Sequence, residues 1–134
     1  MILDHVGVAV WELSTAVELY AHTFGAAVSE RYDLPDDHVR VAFLDAGGAL
    51  IELLQPLGEQ GPVFRFLQRR GEGLHHLAFL VPDIARALEQ ARAAGQRLID
   101  EHPRSGAGGR LVAFVHPAAA RGVLIELVQA PQAR

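Results

Sequence analysis

Two histidines and two glutamates occupy matching places in the two halves of this 134-residue chain. His5 stands in L-D-H-V-G-V-A-V and His76 in L-H-H-L-A-F-L-V, while Glu52 and Glu126 each stand in L-I-E-L. The histidines are 71 residues apart and the glutamates 74, and V-A-F recurs at 41–43 and 112–114. A duplication that aligns His with His and Glu with Glu is not what core packing alone selects. It predicts two modules related by a pseudo-two-fold axis, with four side chains converging on one divalent metal. Two imidazoles and two carboxylates suit Co²⁺, Mn²⁺, Ni²⁺, Fe²⁺, Mg²⁺ or Zn²⁺ in octahedral or distorted geometry better than a closed structural zinc site. Four protein ligands leave two adjacent positions on an octahedral ion for a bidentate oxygen substrate. The alternative is that His5 and His76 are satisfied core histidines and that the glutamates pair with arginines.

Strand alternation decides which neighbours share a face with these residues. His5 falls with the small Gly7 and Ala9, opposite Val6, Val8 and Val10. His76 falls with Ala78 and Leu80, opposite Leu77, Phe79 and Val81. Each histidine therefore looks into space while the bulkier face is left to pack on a helix. Glu52 interrupts the apolar run L-I-E-L-L, and Glu126 interrupts V-L-I-E-L-V. A carboxylate inside such a strand costs several kcal/mol (on the order of 2–7) unless it is paired or binds a cation.

Positioning these residues requires a strand, a helix and three strands in each half. The first half predicts a strand over 2–11, and a helix from an N-cap at Ser14 through Thr23, with Val17, Tyr20 and Phe24 on one face and Gly25 as the stop. Strands follow near 26–34, 38–45 and 49–55. The second half predicts a strand over 74–81, a helix capped by Asp83 through Ala94 and ended by Gly95, and strands near 96–101, 109–116 and 122–129. Between them, 61–72 reads as a connecting helix with Pro62 in its first turn. The chain is expected to be a single domain of two modules, about 1–60 and 73–134.

The length suits one small domain. The formal net charge of −4 excludes a general nucleic-acid binder, which would be basic. With no cysteine there is no disulfide framework, zinc-thiolate site or cysteine nucleophile, in keeping with a reducing cytoplasm. No apolar run is long enough for a membrane span, and no secretory leader pattern opens the sequence. His75 falls on the opposite face from His76, and His116 precedes Pro117 at a strand end.

A repeated strand–helix–three-strand module with His early and Glu late resembles the vicinal oxygen chelate superfamily, which includes the glyoxalases. Several blocks are similar to the methylmalonyl-CoA epimerases in particular: D-H-V-G-V-A-V at 4–10, V-A-F-L at 41–44, I-E-L-L-Q-P-L at 51–57, G-E-G-L-H-H-L-A-F at 71–79, R-L-I-D-E-H-P-R-S-G-A at 97–107, V-A-F-V-H-P at 112–117 and G-V-L-I-E-L-V at 122–128. The resemblance implies an α+β fold in which two βαβββ modules form an eight-stranded, open, barrel-like sheet. It implies metal ligation by His5, Glu52, His76 and Glu126, with Co²⁺ the first expectation, and a cytoplasmic homodimer. The implied reaction is epimerisation of an acyl-CoA through a metal-stabilised enolate, with Glu126 as one base and Glu52 as the second. Arg69, Arg70, Arg104, Arg110 and Arg121 are candidates for the coenzyme A phosphates, and Trp11 and Phe43 for shaping the pocket. Three positions depart from the family pattern: Ala118 where a lysine is common, Gly108 where a histidine often stands, and Val41 where some members carry an extra acid.

Two other readings compete. A glyoxalase (lactoylglutathione lyase) would isomerise a glutathione hemithioacetal on the same scaffold, whereas an extradiol dioxygenase would use two His and one Glu, which the fourth ligand disfavours. A metal-free small-molecule binding or resistance protein would keep the fold without needing the four ligands.

Overall fold

The computed structural model describes residues 1–131. It divides into two compact units, one of residues His5–His75 and one of Met1–Asp4 with the chain from His76 onward.

In the first unit the strand order is β2-β3-β4-β1. β1 (Ile2–Ala9) runs parallel to β4 (Leu50–Pro56), which is antiparallel to β3 (Val39–Asp45), itself antiparallel to β2 (Ala27–Leu34). The bulky face of β1 packs as the alternation predicts: Val8 and Val10 join Leu13, Val17, Ala42, Leu44 and Leu53 in an apolar cluster under the helix. That helix, α1 (Leu13–Glu18), starts two residues earlier than expected. Ser14 is not its N-cap; Glu12 is, and the Ser14 and Thr15 hydroxyls donate to the Glu12 carboxylate at 3.4 and 2.7 Å. Beyond Glu18 the coil widens into a π-helical turn, Leu19–Thr23. The wider turn breaks the 3.6-residue period, and Phe24 ends 68% exposed instead of on the buried stripe with Val17. Opposed residues Asp33 and Arg40 close the β2–β3 hairpin with a fork of 2.7 and 3.1 Å, and the Arg40 hydrogen bond holds the Asp33 carboxyl below its ordinary range. The expected connecting segment forms α2 (Pro62–Arg70), with Val63 and Leu67 buried.

The second unit has the order β5-β8-β7-β6. β5 (Gly73–Leu80) is parallel to β8 (Ile125–Gln129), which pairs antiparallel with β7 (Leu111–Val115). α3 (Ile84–Ala93) is capped as predicted, the Asp83 carboxylate accepting from the Arg86 N–H at 3.1 Å. Its buried Ile84 and Leu88 meet Val81, Ala113, Val115 and Leu127. The strand expected near 96–101 does not form. Leu98 makes a single bridge to Val115, the Ile99 and Asp100 N–H groups converge on the Phe114 carbonyl, and the Asp100 carboxylate takes the Phe114 N–H. A side chain there replaces a ladder partner, and pairing resumes only in the two-residue β6 (Arg104–Ser105).

The fold is thus α+β, with two βαβββ modules and eight strands, as the duplication implies. Among the described residues, no helix is long and apolar enough to cross a membrane.

Candidate metal centre

Each unit builds the same constellation from the same strands. In the first, Glu52 lies opposite Gly7 on one side and Phe43 on the other. His5, two residues before Gly7, therefore shares the face of Glu52, and its Nε2 stands 3.3 Å from Glu52 Oε1. The Phe43 ring meets the imidazole edge-on at 5.3 Å between centroids. In the second, Glu126 lies opposite Ala78 and Phe114. His76, two residues before Ala78, meets the Phe114 ring edge-on at 5.7 Å. The small residue beside each histidine leaves room in front of each carboxylate.

Burial singles out these residues. Among the described residues, the buried polar or charged side chains are His5 (2% exposed), Glu52 (6%), His76 (3%) and Glu126 (8%), and no arginine is buried with them. A carboxylate at such depth is held by a hydrogen-bonding or charged partner or by a bound cation. In each unit the carboxylate and the imidazole are donors of the kind a divalent ion takes. The His5–Glu52 spacing also fits: two ligand atoms about 2.1 Å from a metal and at right angles to it lie about 3 Å apart.

The remaining candidates have structural work. His75 points away from this face and packs edge-on against Phe66 at 4.8 Å. His116 Nδ1 accepts from the Ala118 N–H at 3.0 Å and caps the short turn Pro117–Ala120, in which Ala118 lies. Gly108 adopts a left-handed conformation (φ 65°) that glycine enters without strain. Val41 is fully buried. Trp11 is half exposed, its ring against Phe64, and its backbone N–H donates to the Glu72 carboxylate. Arg110 donates to the Ala107 carbonyl at 3.2 Å, and Arg70 lies over Phe66. Arg69 sits in the last turn of α2 and Arg121 in a left-handed position at the end of the 117–120 turn.

Two residues that matter were not singled out from the sequence. Gln55 Oε1 accepts from the Leu13 N–H at 2.7 Å, and Gln129 Oε1 from the Ile84 N–H at 2.9 Å. Each strand that carries a candidate glutamate ligand thus also holds the first N–H of its module's helix. The signal was available, because each glutamine follows its glutamate by three residues.

Residues 4–114 match the model of the glyoxalase/bleomycin resistance protein/dioxygenase superfamily. The ethylmalonyl-CoA/methylmalonyl-CoA epimerase of Cereibacter sphaeroides is 40% identical over 95% of this chain and 96% of its own length. The crystal structure of methylmalonyl-CoA epimerase from Mycobacterium tuberculosis is 38% identical, with a TM-score of 0.92 over 98% of this chain and 88% of that one. A methylmalonyl-CoA epimerase solved with methylmalonyl-CoA and ammonium is 35% identical, with a TM-score of 0.91 over 96% of this chain and 94% of that one.

Proposed function

Because the chain belongs to the glyoxalase/bleomycin resistance protein/dioxygenase superfamily and resembles methylmalonyl-CoA epimerases over nearly its whole length, we propose that it is a metal-dependent methylmalonyl-CoA epimerase. The observation that carries this reading is the burial of four matched donors in an otherwise apolar interior. His5, Glu52 and His76 could hold a metal ion, and Glu126, placed in its unit as Glu52 is in the other, completes the set.

The α-carbon of methylmalonyl-CoA lies between a thioester carbonyl and a free carboxylate. A divalent ion, when bound, would withdraw electron density from oxygens on both sides and acidify the α-hydrogen. The Glu126 carboxylate takes that proton on one face, and the C–H electron pair passes into the thioester carbonyl. Protonated Glu52 delivers a proton to the opposite face, the carbonyl re-forms, and the configuration is inverted. One carboxyl gains a proton and the other loses one, and the roles exchange in the reverse direction. Because a cation weakens a carboxylate as a base, the glutamate that acts must loosen its hold during turnover. The ion is Co²⁺ in this reading, and the protein is a cytoplasmic homodimer whose modules, 1–60 and 73–134 joined by 61–72, act as one domain. The lack of cysteine supports the reducing compartment.

Metal-loaded protein given a single methylmalonyl-CoA epimer is expected to bring it to a mixture of both, read by circular dichroism or chiral chromatography. A single epimer persisting beside verified bound metal would refute the assignment.

A further inference from the structure

Both units present a sheet face carrying a histidine, a glutamate and a phenylalanine; the first face also carries Glu30, opposite Phe43, and the second carries a cation. In the second unit Val112 shares the face of Phe114, and its partner across the ladder is Arg104. Cross-strand partners project to the same side, so Arg104 stands on the face of His76 and Glu126. Asp100 holds it there, with Nε 3.4 Å from Oδ1, while the other Asp100 oxygen accepts the Phe114 N–H at 2.8 Å. The guanidinium carbon lies 5.7 Å from the Phe114 ring centroid, within cation–π range. At 39% exposure the Arg104 side chain is reachable by an incoming anion. In the first unit the corresponding residue, opposite Val41, is Tyr32, whose neutral ring meets Phe43 at 6.3 Å.

Resting on the epimerase reading, we propose that Arg104 binds the free carboxylate of the substrate and thereby fixes which way round it lies. The substrate has an anionic group on one side of its α-carbon and a neutral thioester on the other. A ligand set of matched histidines and glutamates does not tell these ends apart, whereas one cation on one of the two faces does. The planar guanidinium matches a carboxylate through two parallel hydrogen bonds. It would match a coenzyme A phosphate equally well, so the test must separate the two anions.

Malonyl-CoA and acetyl-CoA carry the same phosphates and differ by one carboxylate. Their dissociation constants are measured by calorimetry on metal-loaded wild-type protein, Arg104→Gln and Arg104→Lys, with metal content and thermal melting recorded for each. Arg104→Gln is expected to weaken malonyl-CoA by about tenfold or more, the scale of a lost hydrogen bond to a charged group. Acetyl-CoA should bind as before, and Arg104→Lys should recover part of the loss. Equal weakening of both thioesters would assign Arg104 to a phosphate, and an unchanged ratio would leave it no role in recognition; either overturns the proposal. If Arg104→Gln does not fold, the same ratio is read on Arg104→Lys, which keeps the charge and loses the fork. Wild-type protein that leaves a methylmalonyl-CoA epimer unconverted would count against the epimerase reading itself. Conversion by wild type with an unchanged ratio in the variant would overturn only the carboxylate role.

Discussion

Glu126 and Glu52 are chemically alike, and each lies between a small residue and a phenylalanine across its ladder. What the proposed reaction asks of Glu126 is a carboxylate that can take a proton, and Glu126→Gln preserves size and burial while removing that ability. Deuterium exchange at the substrate α-carbon is expected to fall about 10²–10⁴-fold in this variant, the usual contribution of general base catalysis. Unchanged exchange would move the base elsewhere. The four donors were legible from the sequence because duplication marks them twice, and the structure buries all four. Asp100 was not legible. Its partners, the Phe114 N–H and Arg104, come from β7 and β6 and form no local pattern.

At the scale of elements, the repeated glutamine couples each helix to the strand that bears a glutamate. Gln129 and Glu126 are three residues apart on β8, so they point to opposite faces, one to the helix and one to the candidate centre. Gln129→Leu removes the acceptor of the Ile84 N–H and is expected to cost about 1 kcal/mol, in line with the loss of a helix cap. Urea denaturation would register this as a lower midpoint with an unchanged slope, and an unmoved midpoint would mean that water replaces the glutamine at no cost. The order of elements was readable from hydrophobic period and turn residues. Two failures have physical causes. The π turn after Glu18 shifts the period where the apolar stripe seemed to continue to Phe24. Near 96–101, Asp100 competes for the Phe114 N–H that a strand would have used, and only β6 remains of the expected edge.

At the scale of the whole molecule, two units that repeat each other in strands, helix, ligand types and helix-holding glutamine differ where Arg104 stands in place of Tyr32. In the proposed reaction duplication supplies paired carboxylates for inversion at carbon, and Arg104 supplies direction. The measurement closest to this chemistry is α-deuterium incorporation into methylmalonyl-CoA in D₂O, followed by mass spectrometry with metal-loaded and chelated protein side by side. Rapid incorporation that disappears on chelation and returns with added Co²⁺ is the predicted result. No incorporation by protein with metal verified as bound, or incorporation indifferent to the chelator, would contradict metal-dependent proton abstraction at this centre.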